Sequence, residues 1–496
     1  MSERLTDLLE YTAKKFGSRR AVTMDGKSLS YEELLARAKR IGSFLGSHLS
    51  AGSPIPIYME KSPDTVACFF GALYAGNFYA PISKEQPIER VEKILETLRT
   101  RAVVTDEDGK AILEEKGFPG QIFLIGEMIK AEIDEDLLRA IRLDVKPTLC
   151  YVMFTSGSTG TPKGVAVSQQ AVLDFIGHFV HVTGITEKDV IGNQAPFDFD
   201  VSVKDIYSAV SSGAELVLIR KELFAEPPRL MDYLIENNVT TLIWAVPALC
   251  ILSGMKVFQY RVPTKLRKVM FSGQAMPVRQ LLIWKAALPE TEFINLYGPT
   301  EITCNCTYFR IPRKIDSSFK IPLGDPFPGR QIFLLDPDDH LVEEPGVLGQ
   351  ICVAGESLAD GYYRNLEETS RNFTEYEGKR IYKTGDLAMM ADDGELYFAG
   401  RSDFQVKIMG HRIELEGVEE VILSIGGVDS CCCTYSRDKG RVTAFITGEA
   451  EEKAVKAALK EKLPAYMIPA HIRKLPALPL NLNGKIDRRE LELLAG

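Results

Sequence analysis

A ten-residue stretch rich in glycine and hydroxyl side chains carries the clearest chemistry, Thr155-Ser-Gly-Ser-Thr-Gly-Thr-Pro-Lys-Gly164. Its backbone amides and hydroxyls can surround phosphate oxygens, and Lys163 can neutralise their charge. It is not a Walker A loop, in which Ser or Thr follows the lysine. Because it lies between the apolar segments 149–154 and 165–167, we interpret it as a phosphate-binding loop rather than a linker. The residues predicted to bind are Thr155, Ser156, Gly157, Ser158, Thr159, Gly160 and Lys163.

Four further stretches carry side chains that could take part in chemistry: Asn295-Leu-Tyr-Gly-Pro-Thr-Glu301, Tyr382-Lys-Thr-Gly-Asp386, residues 400–416 and Leu480-Asn-Leu-Asn-Gly-Lys485. In this order and spacing, together with the phosphate loop, they closely resemble the core motifs of the enzymes that form acyl- or aminoacyl-adenylates. That superfamily includes acyl-CoA synthetases, luciferases and the adenylation domains of nonribosomal peptide synthetases. The resemblance implies that a carboxylic acid is joined to AMP from ATP and then passed to a thiol.

The resemblance also implies the groups that act on the phosphates. Lys485 matches the mobile lysine that bridges the substrate carboxylate, the ribose and the α-phosphate, and Glu301 can hold Mg²⁺ beside Thr300, which can bond the α-phosphate. Two anions must meet in this reaction, so the site has to supply positive charge and in-line placement. These three residues are the predicted catalytic group, with Glu301 as the metal ligand.

The adenosine half of ATP is assigned in the same way. Tyr297 offers a face for adenine, Asn295 can read its amino edge, and Asp386 suits the two ribose hydroxyls. The other ATP-binding residues implied by the resemblance are Gly273, Leu296, Gly298 and Arg401. Asp403 falls at the hinge of the family, where the C-terminal domain turns between the two half-reactions so that Lys485 is delivered and then withdrawn.

The identity of the acid is indicated by Phe199-Asp-Val-Ser202, which matches the Phe-Asp-x-Ser of members that activate amino acids. There the aspartate, here Asp200, pairs with the α-ammonium of the substrate. A carboxylate in an apolar pocket is costly unless a cation meets it. This favours an amino acid, while the competing interpretation of Asp200 is a helix N-cap.

The wider segment 193–207 looks most like the D-alanine–carrier-protein ligases. No Gly-Gly-x-Ser phosphopantetheine motif follows Lys485, so we expect a carrier protein supplied in trans. Ser272-Gly-Gln274 departs from the Cys-Gly-Glu of those ligases at the place that meets the substrate side chain. D-alanine is therefore one expected substrate, and L-serine or another small polar amino acid, activated by a stand-alone enzyme of the peptide-synthetase type, is a competitor. An acyl-CoA synthetase is the further alternative.

The predicted substrate-binding residues are Asp200, Val201, Trp244, Met270, Ser272, Leu296, Cys304 and Asn305. Trp244, Met270 and Leu296 fill volume, which favours a small side chain. Ser272 and Asn305 could bond a hydroxyl. Lys204 either points away from this pocket or meets an acidic side chain.

The elements that must position these residues alternate between strand and helix. Ser30-x-x-Glu33 is a capping box that opens a helix, and strand-like 240–244, 268–271 and 292–296 are separated by helical patterns such as 278–287. Apolar strands alternating with amphipathic helices predict an α/β fold with parallel-rich sheets. We expect an N-terminal core over 1–402, with a small β-barrel subdomain at about 321–402, and a mobile α+β C-terminal domain over 403–496.

Composition bounds the remaining possibilities. The 45% apolar and 26% charged residues and the net charge of −9 favour a cytoplasmic enzyme without a nucleic-acid or membrane surface. We also expect a monomer. The nine cysteines form no CxxC pair, so they are expected to be reduced rather than to bind zinc. The expected cofactors are ATP, Mg²⁺ and the phosphopantetheine of the carrier.

Overall fold

The computed structural model describes residues 4–100, 102–155, 162–402, 405–408, 410–436, 439–479 and 486–495. These residues divide between two compact units, the first within 1–84, 100–153 and 165–402 and the second within 85–99, 154–164 and 403–496. The architecture is mixed α/β, as the sequence predicts.

The α-helices of the described residues are α1 (Leu5–Phe16), α2 (Tyr31–His48), α3 (Pro63–Tyr74), α4 (Ile88–Leu98), α5 (Glu107–Glu115), α6 (Ile125–Met128), α7 (Glu135–Asp144), α8 (Gln169–Thr183), α9 (Val201–Ser212), α10 (Pro227–Glu236), α11 (Val246–Gly254), α12 (Val278–Ala287), α13 (Leu366–Asn372), α14 (Leu415–Leu423), α15 (Glu452–Lys462) and α16 (Arg488–Ala495).

The strands are β1 (Arg20–Met24), β2 (Lys27–Ser30), β3 (Pro54–Tyr58), β4 (Phe78–Ile82), β5 (Ala102–Thr105), β6 (Gln121–Leu124), β7 (Leu149–Thr155), β8 (Lys163–Ser168), β9 (Val190–Asn193), β10 (Glu215–Leu218), β11 (Thr241–Ala245), β12 (Lys268–Ser272), β13 (Glu292–Tyr297), β14 (Thr307–Arg310), β15 (Asp325–Pro326), β16 (Arg330–Leu335), β17 (Leu348–Gly355), β18 (Gly361–Tyr362), β19 (Phe373–Tyr376), β20 (Lys379–Met390), β21 (Leu396–Arg401), β22 (Gln405–Ile408), β23 (His411–Glu414), β24 (Val428–Ser436), β25 (Arg441–Gly448) and β26 (His471–Lys474).

Two parallel-rich sheets form the body of the first unit. One has the strand order β18-β8-β7-β4-β3-β5-β6, and the other has the order β15-β14-β13-β12-β11-β9-β10-β1-β2. In the second sheet, β9 to β13 and the β1–β10 pair run parallel. Parallel strands need covering on both faces, which explains why their residues are apolar almost throughout.

The helices that cover these sheets begin where local sequence dictates. The side chain of Ser30 accepts from the amide of Glu33, and the Glu33 carboxylate accepts from the amide of Ser30, so the predicted capping box is present at α2. The apolar stripe of α2 is fully buried at Leu34, Ala38 and Ile41. The predicted helix 278–287 is α12, and the strand-like segments around it are β11, β12 and β13.

The strands between Arg330 and Arg401 pair in antiparallel fashion. The order is β16-β17-β20-β19, and the long β20 also pairs with β21. This last pairing sets Asp386 opposite Arg401.

The second unit has its own core. The hairpin β22–β23, the sheet β24-β25-β26 and the helices α14, α15 and α16 contribute to it, and its apolar centre includes Ile413, Val418 and Ile446. In neither unit does a described helix have the length and apolar character required to cross a bilayer.

Candidate active site

A buried carboxylate at the end of the antiparallel sheet is held by groups from two other segments. The Tyr297 hydroxyl, at the end of β13, donates to Asp386 Oδ2 at 2.7 Å. The Arg401 guanidinium donates to Asp386 Oδ1 and, at 3.1 Å, to the carbonyl of Thr384. Burial, with the Asp386 charge adding to it, raises the pKa of Tyr297 well above its ordinary value, so this hydroxyl stays a donor. Since each carboxylate oxygen can accept two hydrogen bonds, Asp386 is oriented and still able to accept others.

A second carboxylate, Glu301, lies in a short 3₁₀ turn over Thr300–Ile302, directly after the segment that carries Tyr297. It is fully buried, and the Tyr362 hydroxyl donates to Glu301 Oε1 at 2.8 Å. The Tyr382 hydroxyl lies 3.4 Å from that of Tyr362. A carboxylate oriented by a tyrosine, beside the half-buried Thr300, is an oxygen donor of the kind Mg²⁺ takes together with phosphate oxygens.

Two glycines let the backbone approach closely around these groups. Gly273, directly after β12, has φ +93°, a conformation that side-chain-bearing residues rarely adopt. A Cβ on Gly298 would stand 2.5 Å from Asn305 Cα and 2.8 Å from Cys306 N, both backbone atoms. Gly298 is therefore required by the packing of the segment 304–306 against it.

That segment is reached through an unusual turn. Thr303 and Cys304 have φ +54° and +76°, in the left-handed region that costs non-glycine residues energy. The Thr303 hydroxyl donates to the carbonyl of Ser357 at 2.7 Å, and the Cys304 thiol donates to the carbonyl of Asp200 at 3.1 Å. The turn thus brings Cys304 and Asn305 to the start of α9.

Asp200 immediately precedes α9, yet its side chain forms no capping hydrogen bond, and its backbone is already helical at φ −61° and ψ −24°. The turn before it is fixed instead by Ser202, whose hydroxyl donates to the carbonyl of Phe199 at 2.6 Å. Asp200 therefore occupies the N-cap position of α9, but its side chain does not cap the helix. Val201, the next residue, begins the helix and is half-buried.

Lys204, one turn into α9, joins the predicted substrate residues. Its ammonium donates to Asn305 Oδ1 at 2.7 Å and to Ser272 Oγ at 3.4 Å. The side chain is 1% exposed, and burial lowers its pKa while Asp200 and Asp205 act in the opposite direction. Lys204 therefore does not point away from the group formed by Asp200, Ser272, Cys304 and Asn305.

A separate buried polar cluster lies on the neighbouring side of α9. Asn193 donates to Asp205 Oδ2 at 2.6 Å, and Lys61 donates to Asn193 Oδ1 at 3.2 Å. Burial raises the pKa of Asp205 to about 7 and lowers that of Lys61 to about 8. Asn193 links these two opposite charges.

The structure places the predicted volume-filling residues on two faces of one sheet. Met270 and Leu296 lie in the core cluster shared with α9. Trp244 pairs in register with Phe271, packs with it in the other cluster, and donates through its indole nitrogen to the carbonyl of Gly192 at 2.7 Å. Trp244 is thus not among the side chains brought together around Asp200, which corrects that part of the prediction, because successive strand residues face opposite ways.

Asn295, assigned to adenine, uses its amide nitrogen to donate to the carbonyl of Pro322 at 2.9 Å.

The predicted phosphate loop joins β7 to β8, which are neighbours in one sheet, and the Thr155 hydroxyl donates to the carbonyl of Lys163 at 3.4 Å. The Lys163 ammonium lies 3.5 Å from Glu414 Oε1, and both belong to the second unit. The predicted residues outside the described ranges are Ser156, Gly157, Ser158, Thr159, Gly160, Asp403 and Lys485.

Sequence reasoning did not assign Tyr362, which orients Glu301, or the cluster formed by Lys61 and the α9 residue Asp205. Tyr362 comes from a distant segment and carries no local pattern. A signal for the buried cluster did exist. The stretch 201–212 is mostly apolar or small on every side, which indicates a helix buried all round, and a charged residue in such a helix must find buried partners.

Comparison with known families gives two matches. Residues 9–363 match the family described as AMP-binding enzyme, and residues 417–485 match the AMP-binding enzyme C-terminal domain. The first match includes the phosphate loop and the segment 295–301, and the second ends at Lys485.

Known relatives cover the chain along its whole length. Tyrocidine synthase 1 of Brevibacillus parabrevis is 32% identical over 98% of this chain, which spans 44% of that protein. The chain thus spans less than half the length of this relative. The D-alanine–D-alanyl carrier protein ligase of Listeria monocytogenes is 31% identical, over 94% of both chains. The crystal structure of IdnL1 superposes with a TM-score of 0.83 at 28% identity, covering 97% of this chain and 99% of that one.

Proposed function

The chain belongs to the AMP-binding enzyme family, and we propose that it activates a small amino acid as aminoacyl-AMP and transfers it to a carrier protein. In the first step a carboxylate oxygen of the amino acid bonds to the α-phosphorus of ATP, and the bond to pyrophosphate breaks. In the second step the phosphopantetheine thiolate of the carrier bonds to the acyl carbon, and AMP leaves.

The observation that carries this proposal is the placement of Asp200. Its side chain does not cap α9, its backbone carbonyl accepts from the Cys304 thiol, and its charge acts on the buried ammonium of Lys204. A carboxylate in such surroundings is stabilised by a cation, and the α-ammonium of an amino acid supplies one. A fatty or aryl acid has none to offer.

The contacts of Asp386 and Asn295 support a role for each in nucleotide binding. Asp386, held by Tyr297 and Arg401, would accept from the ribose hydroxyls. The side-chain oxygen of Asn295, whose amide nitrogen donates to Pro322, would accept from the amino group of adenine. Mg²⁺, when bound, would neutralise phosphate charge, and Glu301 would hold it beside Thr300. The phosphate loop and Lys163 would contact the β- and γ-phosphates, with Lys485 at the reacting carboxylate.

D-alanine is the substrate suggested by the Listeria ligase, which matches over nearly the whole of both chains. L-serine or another small polar amino acid is the second candidate, and it is favoured by Ser272 and Asn305, whose polar atoms meet at Lys204. We propose that the enzyme acts as a monomer in the cytoplasm. It would consist of an N-terminal core over 1–402 and a mobile C-terminal domain over 403–496, which turns at Asp403.

ATP–pyrophosphate exchange tests the proposal directly. We expect exchange with a small amino acid and at least about a hundredfold less with its deaminated analogue, such as propionate in place of alanine, because only the amino acid meets Asp200. Exchange with fatty or aryl acids but with no amino acid would refute the proposal and favour an acyl-CoA synthetase. Thioester formation on a holo-carrier protein, compared with CoA, identifies the acceptor.

A further inference from the structure

Lys204 has a feature that the proposed reaction leaves unused. It is a fully buried ammonium whose two hydrogen-bond acceptors, Asn305 Oδ1 and Ser272 Oγ, are both uncharged. Within the described part of the chain it forms no ion pair. A buried cation is stabilised far better by an anion than by neutral oxygens, so this site is set up to receive negative charge.

The two nearby carboxylates have other partners. Asp205 accepts from Asn193, which also binds the ammonium of Lys61, so the charge of Asp205 is shared between Lys61 and Lys204. Asp200 is assigned to the α-ammonium of the substrate. Once that ammonium is bound, the charge of Asp200 is matched, and Lys204 keeps only uncharged hydrogen-bond acceptors among the described residues.

The distance between Asp200 and Lys204 limits the length of the substrate side chain whose anionic group could reach Lys204. Asp200 and Lys204 are four residues apart at the start of α9, which puts them on one helix face about 6 Å apart at Cβ. A substrate held by its ammonium at Asp200 can place the end of a short side chain at Lys204. Met270 and Leu296 occupy the core cluster on this side of the sheet.

The side chains that bind Lys204 could also donate hydrogen bonds to an anionic group of the substrate. Ser272 and Asn305 now accept from the ammonium, but the serine hydroxyl hydrogen and the asparagine amide nitrogen are donors. A carboxylate placed here would accept from all three side chains. A methyl group would leave the buried ammonium facing apolar surface.

We infer that the amino acid activated by this enzyme has a short side chain ending in a carboxylate, as in aspartate, and that Lys204 pairs with it. This inference rests on the proposed function and narrows it from small amino acids in general to acidic ones. Only the α-carboxylate is adenylated, because Lys204 holds the side-chain carboxylate at the opposite end of the substrate.

The wild-type enzyme provides the first test, through kcat/KM for ATP–pyrophosphate exchange with both enantiomers of aspartate, asparagine, serine and alanine. We expect one enantiomer of aspartate to exceed asparagine, its neutral isostere, and alanine by about a hundredfold, as for a buried charge pair. A higher kcat/KM for alanine, serine or asparagine would overturn the inference while leaving the proposed function intact. No exchange with any amino acid would overturn both.

Variants then assign the preference to Lys204. Lys204→Met should lower kcat/KM for aspartate about a hundredfold, mainly by raising KM, and should leave kcat/KM for alanine equal or higher. Lys204→Arg should keep part of the preference for aspartate. Lys188→Met, at an exposed lysine, is the matched control and should change neither value. If Lys204→Met lowers kcat/KM by the same factor for every amino acid, Lys204 only supports the fold. The wild-type comparison decides the matter if this variant does not fold.

Discussion

Single residues act here through the neighbours that orient them, and Tyr297 is the clearest example. Its hydroxyl donates to Asp386, so Tyr297→Phe should leave this carboxylate, which we propose binds ribose, in place but less well oriented. We expect the KM for ATP to rise about tenfold, which corresponds to about 1.4 kcal/mol, with a smaller change in kcat.

Steady-state exchange kinetics with ATP as the varied substrate measure this. Tyr308→Phe is the control, since Tyr308 is a half-buried tyrosine of β14 whose hydroxyl has no hydrogen-bond partner among the described residues. An unchanged KM in Tyr297→Phe would show that this hydroxyl does not orient the ribose-binding group.

Some residue assignments were accessible from sequence and others were not. Asp200, Ser272, Cys304 and Asn305 come together as the motif alignment predicts. Trp244 does not, because its side-chain direction depends on strand register, and a shift of one residue reverses the face. The burial of Lys204 was equally hidden, since its partners lie 68 and 101 residues away along the chain.

At the scale of elements, the turn between Tyr297 and Thr307 determines the shape of the site. Gly298→Ala would drive a methyl group into the backbone of residues 304–306, which cannot move as a flexible side chain could. We expect the KM for the amino acid to rise and kcat to fall, each by about tenfold or more, because a small displacement of aligned groups is costly.

Gly177→Ala in α8 is the matched control, since nothing lies within 4 Å of the added Cβ. It should retain full activity and, as an exposed position inside a helix, gain about 0.5–1 kcal/mol in stability. Activity in Gly298→Ala equal to that of this control would mean that the segment 304–306 does not set the substrate geometry.

The hairpin β22–β23 gives a prediction about pH. His411 stacks on Tyr466 with ring centroids 3.5 Å apart, and burial together with the charge of Arg90 lowers its pKa to about 3. The unfolded chain therefore binds a proton that the folded chain does not between about pH 3 and pH 6.5, so the free energy of unfolding rises with pH across that window.

His411→Phe keeps an aromatic ring on Tyr466 and removes the titration, so its stability should depend less on pH between about 3 and 6.5. Urea denaturation followed by circular dichroism at several pH values measures the difference. His471→Phe, at an exposed histidine of the same unit, should keep the wild-type pH profile. Parallel profiles for wild type and His411→Phe would contradict this assignment.

Most elements were predictable from the sequence because their signals are local. The capping box of α2, the helix α12 and the strands β11 to β13 depend on periodicity and on residues within a few positions of each other. The left-handed conformation of Thr303 and Cys304 was not predictable, since it is imposed by distant contacts with Ser357 and Asp200.

At the scale of the whole molecule, the proposed two-step reaction separates the roles of the N-terminal core and the C-terminal domain. Lys485→Ala should reduce aminoacyl-AMP formation by about a hundredfold to a thousandfold, because it removes a positive charge from the transition state. Transfer of the amino acid from preformed aminoacyl-AMP to the carrier should be largely unchanged, since the proposed turn at Asp403 withdraws this lysine before that step.

Single-turnover assays of each half-reaction measure the two effects separately. Lys453→Ala, at an exposed lysine of α15, should affect neither step. Equal loss of both half-reactions in Lys485→Ala would refute the alternation of the domain.

The short strained turn has a consequence for how this enzyme could acquire a new substrate. Glu301 and Asn305 are joined by only three residues, two of them in the left-handed conformation. A substitution that reshapes the segment 303–305 for a different side chain also shifts the carboxylate assigned to the metal. Laboratory evolution of substrate choice should therefore proceed at Lys204 and Ser272, which stand on regular elements, and should find few tolerated changes within the turn.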